Sequence, residues 1–364
     1  MQFQFGMPTD IYFGRGAVRA HAEALRLGKR AYIITGKTSG RSSGALRDVT
    51  EALRSGGIAY DVFEGIGNNP LVEQCYQLGA QVRRAGADFI IGIGGGSPLD
   101  AAKAIAVYAA NDIPPERIFS YGYDNGVLPI LAVPTTSGTG SEVTPWSILT
   151  DDAKQTKRSF GGPLTFPKAA FLDPAYTDSL PADATRNTAL DALQHCIEGV
   201  FSLKASPYSD ALALDAIRRF GACMPALERG DFAPIRDALM LISMMAGTVI
   251  ANTGTTLMHA MGYSLTYFYD VPHGLANALV MPVYMAEMQR YRPDAMERVL
   301  GALGMSQADL AAYLKRSFKP SFTPRPGELA KWAALVTEAA AGVKAAGLPV
   351  EQSYVEDLYR RAFE

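Results

Sequence analysis

Short β-rich runs alternate with segments of helical period through the first half of the chain, and after Leu180-Pro181 the alternation stops. The strand-like runs are residues 30–35 (RAYIIT), 59–63, 89–93 (FIIGI) and 129–133 (PILAV), with helical stretches such as 44–55 and 72–85 between them. Parallel neighbours in a sheet need a crossover of roughly a dozen residues or more, usually a helix, so this order predicts a mainly parallel sheet covered on both faces. After a last strand-like run at 169–172, residues 184–202, 209–220, 235–251 and 328–346 carry helical period. The expected fold is an α/β domain over residues 1–178, followed by an all-α domain over 179–364. Residues 3–13 read as an edge strand or hairpin suited to a dimer contact.

Charge and cysteine usage narrow the partners. Lys+Arg 34 against Asp+Glu 36 leaves a formal charge of −2, so no basic field exists to hold nucleic acid or an anionic membrane. Cys75, Cys196 and Cys223 form no CxxC pair, which excludes a disulfide framework or a cysteine zinc site and fits a reducing compartment. The opening MQFQFGMPTD has no basic or apolar leader region, so the cytoplasm is expected. The longest apolar run, 238–251, is 14 residues broken by Ser243 and Thr248, short of a bilayer span, and reads as a buried core helix.

Two turns point to a phosphate-bearing ligand. The first, Gly94, Gly95, Gly96 and Ser97 with Pro98, Asp100 and Lys103 beyond, follows the apolar strand at 89–93. Pro98 suits a first helical position, so the glycines form a strand-to-helix turn whose free amides and positive dipole end make an anion site fit for a diphosphate. Ser97 stands where the dinucleotide fingerprint has its last glycine, so the standard motif is not met. The second turn runs from Pro134 through Thr135, Thr136, Thr139 and Ser141 to Glu142 after another strand, and two such turns at one end of a sheet favour a dinucleotide.

Three of the four histidines lie in the helical half. Asp191 and His195 share one helical face at i, i+4 spacing, and His259 and His273 follow, the latter between Pro272 and Gly274 at an expected helix start. One carboxylate with three imidazoles makes an O,N,N,N set for a divalent transition metal, although each histidine singly reads as well as a core residue. His21 reads as a surface residue.

Together these residues resemble the iron-containing (group III) alcohol dehydrogenase family over essentially the whole chain. Its Gly-Gly-Gly-Ser-x-x-Asp-x-Ala-Lys segment is matched by Gly94 to Lys103, its Pro-Thr-Thr-x-Gly-Thr-x-x-Glu turn by Pro134 to Glu142, and its metal helix by Asp191-Ala-Leu-Gln-His195-Cys-Ile-Glu198. The resemblance implies a Rossmann-like nucleotide-binding domain over residues 1–178 and a helical metal-binding and substrate domain over 179–364, in a layout like dehydroquinate synthase, with a catalytic metal on Asp191, His195, His259 and His273, Fe favoured and Zn or Ni also compatible with these ligands. It further implies cleft contacts from Asn69 and Lys157. Glu198 reads either as a support for a ligand or as a solvated glutamate. Where many members have a further histidine near the nicotinamide, this chain has Tyr263. After the first parallel strand many NAD-using members carry an aspartate, whereas this chain reads Thr35-Gly36-Lys37-Thr38-Ser39. With no carboxylate there, and with Lys37, Thr38, Ser39 and Arg41 offering charge and donors, NADP is favoured over NAD.

The activity implied is reversible hydride transfer between NAD(P) and a small alcohol and its aldehyde or ketone, in a homodimer or larger homo-oligomer. The rivals are a metal- and NAD-dependent lyase like dehydroquinate synthase and a non-catalytic nucleotide-binding protein. A lyase with a phosphorylated, carboxylated substrate needs several cations, and residues 240–290 contain only Arg290.

Overall fold

Successive residues of the run 30–35 face opposite apolar layers: Ala31 and Ile33 enter one, Tyr32 and Ile34 the other. That is the period-two signature of a strand buried on both faces. A computed structural model describes residues 2–120, 122–318, 322–338, 343–349 and 351–364. The chain divides into two units, Met7–Pro181 and Ala182–Glu364, the latter joined by the N-terminal residues up to Gly6.

The strands of the first unit are β1 (Asp10–Phe13), β2 (Arg30–Gly36), β3 (Ala59–Ile66), β4 (Phe89–Gly94), β5 (Ile130–Pro134), β6 (Ser147–Asp151), β7 (Thr156–Phe160) and β8 (Ala169–Leu172). Six form a parallel sheet in the order β1-β8-β5-β4-β2-β3. Leu46, Val49 and Leu53 of helix Ala45–Ser55 cover one face; helices Val72–Ala85 and Gly96–Ala110 cover the other through Cys75, Leu78, Ala101 and Ile105. Each fully buried aliphatic side chain there contributes about 1.5–3 kcal/mol. The chain leaves β2 for β3 on one side and returns to β4 on the other, so the winding reverses between β2 and β4. In doubly wound sheets ligands gather at the carboxyl ends of the strands beside such a reversal. Gly36 and Gly94 end these two strands.

Three details differ from the sequence reading. The helix after β4 begins at Gly96, not Pro98, and proline is accommodated because the early amides of a helix have no partner within it. β6 and β7 form an antiparallel hairpin that the sequence hid, since Thr156–Phe160 (TKRSF) has no apolar run. Of residues 3–13, only Asp10–Phe13 is a strand, lying at the sheet edge beside β8.

The second unit is helical. The apolar helix Arg236–Thr253 owes its composition to burial, with Leu239, Ile242, Met245, Ala246 and Val249 in the core. Helices Ala182–Phe201, Leu257–Tyr269 and His273–Tyr291 approach closely because two glycines lack a Cβ. One on Gly274 would strike the carbonyl oxygen of Asn187, and one on Gly262 the amide oxygen of Asn277. Gln194 Nε2 also donates to the Gly274 carbonyl at 3.0 Å. Helical period over 328–346 is met by helix Glu328–Glu338 and a short turn at Val343–Ala346, with residues 339–342 outside the described residues.

Candidate metal centre and cofactor turns

The close helix approach brings three separated segments onto one carboxylate. Asp191 and His195 lie one turn apart, His259 is the third residue of its helix, and His273 begins the next. Asp191 Oδ1 is the hub: Nε2 of His259, His273 and His195 lies 3.4, 3.8 and 3.9 Å away. The His195 and His259 rings stack at 4.5 Å, and the His273 ring lies edge-on to His259 at 5.2 Å. Asp191, His195 and His259 are all buried and offer ligand atoms within 4.8 Å of one another; His273 adds a fourth, a quarter exposed.

The donor set fits a divalent transition ion. Asp191 Oδ1 and His259 Nε2 are buried without a hydrogen-bond partner among the described residues. Leaving such atoms unmet costs about 1–3 kcal/mol each. Ligands bound at ~2.0–2.2 Å stand ~3–3.5 Å apart around an ion, close to the spacings found. Charge agrees. Burial pushes the Asp191 carboxyl up, but His195, His273 and His259 outweigh it and hold the group well below the usual carboxylate range. Burial lowers His259, but Glu198 and Asp191 raise it on balance. Two ionised carboxylates thus share a space that calls for positive charge.

Glu198 is no solvated glutamate. Its side chain is wholly buried, and Oε2 lies 2.5 Å from His259 Nδ1. It also accepts from Thr256 Oγ1 at 2.6 Å and from the amides of Thr256 at 3.0 Å and Met258 at 2.8 Å. The helix Leu257–Tyr269 has no cap from the side chain of Thr256 itself, so a carboxylate on another helix satisfies its first amides. With Nδ1 engaged by this carboxylate, Nε2 is the ring nitrogen that faces Asp191, 3.4 Å from Oδ1. Tyr263, one turn beyond His259, stacks on the His273 ring at 5.6 Å and 19°.

In the first unit the two expected turns interlock. A Cβ on Gly95 would lie 3.1 Å from Thr136, and one on Gly96 would lie 2.7 Å from Thr139. Helix Gly96–Ala110 begins with no side-chain cap, so its leading amides suit an anion. Asn69, in a left-handed backbone conformation at φ 56°, donates its amide to Ser97 Oγ at 3.2 Å and accepts from Thr150 Oγ1 of β6 at 3.2 Å. Thr135 extends from the end of β5 and donates its amide to the Gly94 carbonyl at 2.9 Å.

Asp100 and Ser141 turn to one another. Ser141 Oγ donates to Asp100 Oδ1 at 2.6 Å, and the Ile148 amide donates to Oδ2 at 2.9 Å. Lys103, fully buried, donates to Ser141 Oγ at 2.7 Å and to the Trp146 carbonyl at 2.6 Å. Burial lowers the Lys103 ammonium to about 8 and raises the Glu142 carboxyl to about 7. The family-like Asp and Lys of the first turn thus brace the second. Lys157 is half-buried on β7, paired in register with Thr150, and its charge helps hold Asp100 down against burial. Around Gly36, Lys37 is exposed and Ser39 opens a short helix. Arg41, one of the residues offering charge at this turn in the sequence, is bound to Glu64.

Comparison with known proteins agrees with this geometry. The profile described as "Iron-containing alcohol dehydrogenase" matches residues 8–174, and "Fe-containing alcohol dehydrogenase family, C-terminal" matches 185–318. Lactaldehyde reductase of Escherichia coli K12 is 36% identical over 292 residues, 78% of this chain and 74% of that protein. NADPH-dependent butanol dehydrogenase of Clostridium saccharobutylicum is 32% identical over 286 residues, 77% and 72% of the two chains. The crystal structure of an iron-containing alcohol dehydrogenase from Thermotoga maritima superposes with a TM-score of 0.93 at 36% identity, covering 100% of this chain and 99% of that one. The chain belongs to the iron-containing alcohol dehydrogenase family and is an oxidoreductase of that family.

Proposed function

We propose that this chain transfers hydride reversibly between NADP, in preference to NAD, and a small alcohol and its aldehyde or ketone. The observation that carries the reading is the buried cage around Asp191 Oδ1, with its bare His259 Nε2. Held by Asp191, His195, His259 and His273, a divalent ion, Fe first and Zn or Ni next, supplies Lewis-acid polarisation of the substrate oxygen. Glu198 fixes which nitrogen of His259 carries the proton. The uncapped amides at Gly96 and Ser97 receive the cofactor diphosphate, and Asn69, Thr135, Thr136 and Thr139 shape the adjoining turns, with Asp100 and Ser141 bracing them. Cytoplasmic placement accords with three buried free thiols, and a homodimer or larger homo-oligomer with β1 at the sheet edge.

The test is a panel of short alcohols incubated with each oxidised cofactor, following reduced-cofactor absorbance. The kcat/KM for NADP should exceed that for NAD; a clear advantage for NAD overturns the preference. The butanol dehydrogenase relative bears NADPH in its name, which supports this reading. Gly36→Asp probes the cause. A Cβ there meets Ser39 Oγ at 3.2 Å and Pro98 Cγ at 3.5 Å, so an aspartate needs only a slight shift. Like charge beside a 2′-phosphate should cut NADP use by about tenfold or more and leave NAD use similar.

Tyr263 shapes the site through its stack on the His273 ring rather than moving a proton. Tyr263→Phe keeps the stack on His273 and should change kcat by less than about tenfold. A loss of about a thousandfold with metal content intact would mark the hydroxyl as an essential acid.

A further inference from the structure

We propose that Arg41 and Glu64 together form the element that reads the adenosine ribose, the guanidinium recognising a 2′-phosphate and the carboxylate opposing it. This rests on the NAD(P) reading above. β2 and β3 stay in register through Thr35 and Glu64, and then Gly36 pairs with Ile66, so a bulge falls beside the Gly36 turn. Bulges re-aim side chains. Arg41 comes from the short helix Ser39–Ser42 that follows the same turn. Its Nε and Nη2 donate to Glu64 Oε2 and Oε1, each at 2.6 Å, a two-pronged pair at the carboxyl end of β2 where the winding reverses.

The pair is exchangeable. Arg41 is 71% exposed and Glu64 26% exposed, and ion pairs so open to water are weakly held. A phosphate monoester carries nearly twice the charge of a carboxylate and accepts the same planar fork. With NADP the fork passes from Glu64 to the phosphate; with NAD it stays, and Glu64 keeps the position with no phosphate to repel. The carboxylate missing after β2 is therefore supplied from β3, already neutralised by the cation that a phosphate would use. This explains how a chain without the usual aspartate holds a cation ready and still carries a brake on NADP.

Titration calorimetry of the intact protein with NADP+ and with NAD+ tests the pair without turnover. Arg41→Gln should weaken NADP+ by about tenfold and leave NAD+ within about twofold. Glu64→Gln should tighten NADP+ by a few-fold. Equal shifts for both cofactors, or none, with Arg41→Gln overturn the inference. The two readings separate cleanly: wild-type protein that binds NAD+ tighter while both variants move NADP+ as stated sinks the NADP preference and keeps the selector. A wild-type NADP+ preference untouched by Arg41→Gln does the reverse.

Discussion

Replacing His273 by alanine will yield a folded protein that retains little divalent metal and has lost about a thousandfold or more in kcat/KM. His273 is the gentler of the two informative sites, since a quarter of its side chain is exposed and it begins a helix rather than standing inside one. Removing it opens one side of the cage while leaving the Glu198 to His259 bond in place. The expected loss reflects several kcal/mol of charge stabilisation that an ion supplies to the substrate oxygen. His259→Ala should be as inactive and also less stable, because it leaves a wholly buried Glu198 carboxylate without its imidazole. Elemental analysis beside thermal melting checks both variants. Full metal content and activity in either would falsify the ligand assignment.

The second large effect is expected at Glu198. Glu198→Ala removes the acceptor for three amides, a hydroxyl and an imidazole N–H, all buried. The cost should be about 3–5 kcal/mol of stability, read as a lower melting temperature of metal-free protein. Glu198→Gln separates position from charge. Its amide oxygen can still accept from the helix amides, but it neither carries the charge nor serves both sets of donors, so metal affinity should fall roughly 10–100-fold with a smaller loss of stability. If Glu198→Gln binds zinc as tightly as wild type, the carboxylate does not orient His259.

What the sequence disclosed follows from which interactions are local. The strands of the parallel sheet were legible because Ala31 to Ile34 and Phe89 to Ile93 are buried on both faces and read as continuous apolar runs. The cluster of candidate ligands was legible because Asp191 and His195 share a helical face and histidines are few. What stayed hidden depends on distant partners. Thr156–Phe160 pairs with Ser147–Asp151, yet its residues are mostly polar and carry no strand signature. Glu198 reads equally as a support for a ligand and as a solvated glutamate until the helix starting at Leu257 is laid across it. The partner of Arg41 stayed out of sight because nothing in its neighbourhood of sequence announces Glu64, 23 residues away. Asp100 and Ser141 sat in ligand-like motifs, and only the fold shows Lys103 and the Ile148 amide drawing them together.

Gly262 and Gly274 set more than a packing distance. One meets the side-chain amide of Asn277 and the other the main chain at Asn187, so the spacing of the ligand-bearing segments has no bulky side chain in it that could repack. The width of the cage is set by helix packing at these two glycines, unlike small zinc modules that fold only around their metal. Such a width sorts by size. Ions with bonds of ~2.0–2.2 Å fit four such ligands, whereas calcium, with six to eight oxygens at ~2.3–2.6 Å, does not. Among the transition ions that pass, radius no longer discriminates, and ligand type and the metal available in the cell decide occupancy.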